Sequence, residues 1–241
     1  MSETAAGERE TQLTPAEAGP RDGRSTRWDP HRRERRQTII SAAIAAIEQH
    51  GPDALTGQIA EIAGVPRTHV YRHFEGKRAL DLAVSAHIGN EIGERIRAGL
   101  AVGGTARDII AAAIDQHLAW VEEHPNLYRF VAQHAYAVRA KDSQGTRGAE
   151  DAKAAFAAEL TILVESYLQA LGIDTVPTER LIVGVVGLVD ATAAWWLEKG
   201  EPVRSVLTAE LAERVWLIID GAASALGLSL DADSPLPDLP A

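Results

Sequence analysis

The chain has 241 residues, 46% of them hydrophobic and 24% charged, a balance that belongs to globular proteins able to bury a sizeable core. It contains no cysteine, which excludes disulfides, thiolate nucleophiles and cysteine-held zinc or iron–sulfur clusters and fits a reducing cytoplasm. The net charge of −10 argues against polyanion binding until its distribution is read: between Arg24 and Arg78 ten basic residues face six acids, a local +4 that leaves −14 for the rest. A basic stretch joined to an acidic body is the asymmetry expected where one part meets nucleic acid.

Residues 1–27 carry only Leu13 as a large aliphatic among Gly, Pro, Glu, Thr and Arg, and are expected to form a disordered arm. The segment Met1–Pro20 has neither an apolar stretch nor an Arg-rich transit pattern, so it reads as no targeting signal. From Arg33 the pattern changes. Ile40, Ala43, Ile44 and Ile47 recur at helical spacing until Gly51-Pro52 ends the run. Thr56 to Ala63 gives a short second helix with Ile59, Ala60 and Ala63 on one side, and Arg67 to Phe74 a third beyond Gly64-Val65-Pro66. Two short helices about a tight glycine turn form a helix-turn-helix. Ala60 allows the helices to cross, Gly64 takes the turn, and Val65, Val70 and Phe74 plug the back.

The remainder reads as long helices over about 78–100, 105–123, 126–138, 149–171, 178–199 and 207–226, followed by a Pro-rich tail. No stretch alternates with period two over a convincing strand length, so the expected class is all-α. Leu181–Leu197 is apolar, but Asp190 at its centre and Gly184 and Gly187 within it argue for a buried helix over a membrane span.

The stretch from Leu55 to Leu80, LTGQIAEIAGVPRTHVYRHFEGKRAL, resembles the DNA-binding signature of the TetR family of bacterial transcriptional regulators. The resemblance implies a three-helix helix-turn-helix domain over 28–81 and a ligand-binding and dimerisation domain over 82–229, and the Pro-rich composition leaves 230–241 as a flexible tail. The resemblance further implies a homodimer on a palindromic double-stranded DNA operator. Carried over by position, Tyr71, His73 and Lys77 contact phosphates, Thr56 caps the first helix of the motif while facing the backbone, and Gln58 lies in the same interface. Arg67, Thr68 and His69 fall where base edges are read. Pro66 stands where the family often has a capping serine, and Thr68-His69 replaces a common Gly-Thr pair. Proline is tolerated there because its missing N–H would be unpaired at a helix start anyway.

Competing readings of the same residues are simpler. Tyr71 is also placed to be a core aromatic and Lys77 a solvated charge; Arg24, Arg27, Arg32, Arg33, Arg35 and Arg36 either solubilise the arm or let it reach DNA. His69 and His73 have the i, i+4 spacing of a metal pair, but no carboxylate follows at ligand spacing, so no metal or other cofactor is expected.

In the acidic body, His117, His134 and Asp190 are interleaved with Trp120, Phe130, Phe156 and Trp195, an apolar lining with a few polar groups that suits a small hydrophobic ligand. Asp190 in so apolar a helix must be paired, exposed or at an interface, with a structural partner such as His or Arg expected ahead of direct ligand contact. Gly184, Gly187, Ala191, Ala194, Ala212, Ala222 and Ala225 on the last two helices suit a four-helix dimer interface or a buried hairpin. The expected function is a ligand-released repressor. The alternatives are an all-helical enzyme, for which the chain lacks any Gly-x-Ser-x-Gly, P-loop or His-Glu-x-x-His motif, and a helical adaptor without DNA binding.

Overall fold

A computed structural model describes residues 23–139, 149–170, 172–173 and 178–236. Among them are nine α-helices and no strand: α1 Gly23–His50, α2 Thr56–Ala63, α3 Arg67–Val70, α4 Lys77–Leu100, α5 Ala106–Glu123, α6 Pro125–Arg139, α7 Ala149–Ala170, α8 Glu179–Lys199 and α9 Arg204–Ala225. A single turn of 3-10 helix, Tyr71–His73, prolongs α3. The first helix begins ten residues before Arg33, so residues 23–27, expected in the arm, are helical; residues 1–22 lie outside the described residues. Arginine is a good helix former, and a polar helix offers no apolar periodicity by which to see it.

The head of the molecule is α1 to α3. Ile39, Ala43, Ala46 and Ile47 of α1 are buried with Ile59 and Ala60 of α2, Val70 of α3 and Phe74. Gly64 ends α2 in the left-handed region, at φ 62°, and turns its N–H back to the Ala60 and Glu61 carbonyls. A side chain with a Cβ pays steric strain there, which is why the turn carries glycine. The next residues leave no room for more than one turn of α3 before Phe74 becomes extended, at φ −136°.

α4 belongs to head and body together. Its Leu80, Val84 and Ile88 are buried in the core that joins α1 to α5 and α6. Further along, Gly99 brings α4 against α5 so closely that a Cβ would stand 2.8 Å from the Ala112 carbonyl oxygen and from Ala113 Cα. α5 starts with a reciprocal cap: Thr105 Oγ1 accepts from the Asp108 N–H at 3.2 Å, and Asp108 Oδ2 accepts from the Thr105 N–H at 3.1 Å. One residue, His124, separates α5 from α6, whose first residue is Pro125.

The tail departs from expectation. Residues 231–236 fold back on the start of α5: the Arg107 N–H donates to the Ala232 carbonyl, the Leu236 N–H to the Gly104 carbonyl, and Arg107 pairs with both Glu213 and Asp233. Through Leu236 the tail is therefore docked, because it completes hydrogen bonds that the exposed α5 entrance would otherwise leave to water. Residues 237–241 lie outside the described residues.

Candidate functional site

In the head, the sequence around α3 points a polar row outward. Pro66, Arg67, Thr68, His69 and Arg72 are exposed, while Val70 is fully buried and Phe74 nearly so. Two ties fix this helix. Thr56 and Tyr71 share a hydroxyl–hydroxyl bond of 2.6 Å between the first residue of α2 and the end of α3. Arg36 of α1 donates to the His73 carbonyl at 3.1 Å and lies over the Phe74 ring, 4.2 Å from its centroid.

These contacts amend three expectations. Thr56 does not cap α2: the cap residue is Leu55, which has no acceptor, and Gln58 Oε1 instead receives the Leu55 N–H at 2.7 Å. Arg36 is a clamp within the head, where the sequence placed it with the arm. Tyr71 is half-buried against the core, as its packing reading expects, and its hydroxyl, expected at a phosphate, bonds Thr56 within the head. Lys77 opens α4 with its side chain 60% exposed and its Nζ 2.8 Å from Asp81 Oδ2. His69 is exposed and His73 half-buried, and the 3-10 turn between them breaks the α-helical i, i+4 register.

An open depression of about 640 Å³ lies between α1 and α2, lined by Glu34, Gln37, Thr38, Ser41, Ala42 and Ile62. None of the residues expected to meet a ligand lines it.

In the body the expected ligand residues divide. His117 on α5, Tyr128 on α6 and Asp190 on α8 come together: the His117 and Tyr128 rings meet edge to face, centroids 6.1 Å apart, and the Tyr128 hydroxyl donates to both the carbonyl oxygen and Oδ1 of Asp190 at 2.9 Å. Lys153 of α7 reaches Asp190 Oδ2 at 2.6 Å. Burial alone raises the Asp190 carboxyl, but Lys153 and the Tyr128 hydrogen bond outweigh it and hold the group below the usual aspartate value. Asp190 thus has the structural partner its helix required, a lysine and a tyrosine. His117 is nearly fully buried, and neither of its ring nitrogens finds a hydrogen-bond partner. Burial pushes its pKa down, with Asp190 opposing and Lys153 reinforcing the fall, so the ring is neutral.

Trp120 is fully buried, its indole N–H donating to Glu91 Oε1 of α4 at 3.0 Å, and Phe130 is buried as well. Phe156 lies beside Gly93 of α4. The His134 side chain lies outside the described residues. Trp195 is a correction: it is 50% exposed and walls no interior site, whereas its neighbour Trp196 is buried and donates to the Pro202 carbonyl at 2.7 Å. One helix position is a rotation of about 100°, enough to exchange core for surface.

Sequence reasoning passed over the joint between head and body. His124, between the helices expected over 105–123 and 126–138, places Nδ1 2.5 Å from Glu48 Oε1 near the end of α1, and Asn126 donates to the Glu48 carbonyl at 2.9 Å. His124 and Asn126, two polar residues either side of Pro125 directly after a long amphipathic helix, are the available signal, and it is a faint one.

Comparison with known proteins agrees with this architecture. Residues 39–84 match the family model described as bacterial regulatory proteins, tetR family, and residues 95–227 match the tetracyclin repressor-like C-terminal domain. An uncharacterised HTH-type transcriptional regulator of Mycobacterium tuberculosis, Rv0472c, is 30% identical over 185 residues, covering 75% of this chain and 76% of that protein. The HTH-type transcriptional activator FasR of Mycolicibacterium smegmatis is 25% identical over 175 residues, covering 72% and 77%. The solved structure of the transcriptional regulator FadR from Bacillus subtilis in complex with stearoyl-CoA shares the fold with a TM-score of 0.57 at 19% identity, covering 77% of this chain and 98% of that one. With a head built on a helix-turn-helix and a matching helical body behind it, the chain belongs to the tetR family of bacterial transcriptional regulators.

Proposed function

We propose that this regulator acts in the cytoplasm as a homodimer on a palindromic operator, and that a mainly apolar small molecule bound in the body releases it from DNA. The observation that carries the DNA reading is the exposed row Arg67, Thr68, His69 and Arg72 on a helix held from behind by Thr56–Tyr71 and Arg36–His73. Arg67, Thr68 and His69 read base edges in the major groove; Tyr71, His73 and Lys77 meet phosphates, with Thr56 and Gln58 ordering the start of α2 beside them. Lys77 exchanges Asp81 for phosphate at little cost, since exposed ion pairs are weak.

Dimerisation is supported by the outward faces of α8 and α9. Val183, Trp195, Leu217 and Ile218 are exposed there, and a Cβ built on Gly184, Gly187 or Gly221 would meet nothing, so these small residues are not spent on packing within the protomer. The length and apolar composition of α8 would also let it cross a membrane. A protein partner accounts better for it, because Asp190 sits within it, tied to Tyr128 and Lys153.

For the ligand, His117, Trp120, Phe130, His134 and Phe156 are the side chains assigned to the pocket, Asp190 acting through Lys153 and Tyr128. FadR from Bacillus subtilis, which shares the fold and was solved with stearoyl-CoA, supports a ligand with a large apolar part. The relative FasR, named as an activator, favours the second reading, in which ligand or DNA binding raises transcription. Footprinting on the DNA flanking the gene, with a reporter read in cells with and without the regulator, tests both. A protected palindrome with raised reporter output on deletion supports repression; lowered output supports activation; no protected palindrome overturns the DNA reading.

A further inference from the structure

Among the described residues, two buried side chains have unmet hydrogen-bonding capacity, Ser85 on α4 and His117 on α5, and only His117 lacks a partner at two atoms. It is 6% exposed, both Nδ1 and Nε2 lack a partner, and its ring stands against Tyr128, which in turn holds Asp190. A buried polar group without a partner is costly and is retained where something else satisfies it. A neutral imidazole offers one N–H donor and one bare nitrogen acceptor. The electrostatics beside it are already balanced: Asp190 is matched by Lys153, so a further charge brought to this end of the site would be buried without a counter-ion.

We propose that the ligand of the body presents to His117 an uncharged group that both donates and accepts a hydrogen bond, a hydroxyl or an amide on an apolar frame, and not a carboxylate. This rests on the ligand-binding reading given above. A hydroxyl accepts from the imidazole N–H or donates to its bare nitrogen, and because Trp120 and Phe130 are already buried, the side chains around His117 must part to admit its frame. A carboxylate would have to draw a proton onto an imidazole that burial keeps neutral. Asp190, Lys153 and Tyr128 are then positioning residues: they orient the ring that the ligand touches and hold α6, α7 and α8 together around it.

Three probes of one frame separate the possibilities: phenylpropanol, propylbenzene and phenylpropanoate, titrated calorimetrically into the full-length protein at neutral pH. The expected order is phenylpropanol tighter than either other probe by about ten-fold, the effect of satisfying one buried polar group. His117→Leu should bring phenylpropanol down to propylbenzene, and His117→Asn, which keeps a donor and an acceptor, should restore part of the preference. With isotope-labelled histidine in the unaltered protein, the His117 ring resonances should move on adding phenylpropanol and stay put with propylbenzene, a readout that needs no substitution. Equal binding of alcohol and hydrocarbon, with unmoved resonances, means that an enclosed water satisfies His117 and overturns this inference while the ligand-binding reading stands. Tightest binding by phenylpropanoate overturns the choice of an uncharged group. Failure of all three probes to bind overturns the inference together with the reading beneath it.

Discussion

Asp190 shows how one carboxylate survives on an apolar helix. Its side chain is 43% exposed, so the pair with Lys153 is screened, yet the Tyr128 hydroxyl and Lys153 together keep it ionised. A carboxylate with a depressed pKa contributes stability that is present above the ordinary aspartate value and lost as the pH falls through the depressed one. Asp190→Asn should therefore lower the melting temperature at neutral pH by roughly 2–4 °C, about 1 kcal/mol for a chain of this size, and should flatten the acid limb of a melting-temperature profile. An unchanged acid limb would show that the pair contributes nothing. In the head, Lys77→Ala should weaken binding to all DNA sequences alike and lower the salt slope by about one, whereas Arg67→Ala should alter base preference at one position, as a competition gel shift against variant operators would show. The need for a partner at Asp190 was legible in the sequence, since a charge in such a helix has few alternatives. Its identity was not: Lys153 and Tyr128 lie 37 and 62 positions away. Nor can spacing choose between Trp195 and Trp196, neighbours that the packing of α8 sends to opposite sides.

At the scale of elements, α4 crosses α5 closely at Gly99. Adding a methyl group there sets it 2.8 Å from backbone atoms of α5, which cannot swing aside as a side chain can. Gly99→Ala should cost about 1–3 kcal/mol, seen as a lower urea midpoint with an unchanged slope. A midpoint equal to that of the unaltered protein would show that the two helices part without penalty. Helix bounds in the body were readable to within a few residues because prolines, glycines and polar runs stop long apolar helices. The start of α9 was missed by three residues, at Arg204 instead of about 207, because its cap residue Val203 has no polar side chain to announce it. The whole amphipathic pattern was visible; which face of α8 and α9 stays uncovered was not, since small residues suit a hairpin and an interface equally.

For the whole molecule, the proposed dimer rests on the uncovered face of α8 and α9. Leu217 is 58% exposed beside the exposed Ile218, so on the proposed dimer Leu217→Glu should leave the helix content unchanged while shifting sedimentation from dimer to monomer at micromolar concentration. Operator affinity should then fall by more than about ten-fold, since a monomer addresses one half-site at a time. A variant that remains dimeric would place the interface elsewhere. Part of the charge asymmetry read from the sequence acquires a place here: Arg67 and Arg72 are exposed on α3 and the turn that prolongs it, and Lys77 and Arg78 are exposed at the start of α4.

The shared helix α4, with Glu48, His124 and Asn126 bridging α1 to the turn between α5 and α6, bears on how such regulators exchange parts. Head and body are not beads on a string. A chimera that takes its head from one relative and its body from another at residue 81 would divide α4 and pair a foreign Leu80 with a native Val84 and Ile88. One that crosses after residue 100 keeps α4 intact but gives its Gly99 and Glu91 strangers at Ala112 and Trp120. Viable recombinants should therefore carry α4 together with matching stretches of α1 and α5, so that new operators and new ligands are combined by compensated exchange and not by a single cut.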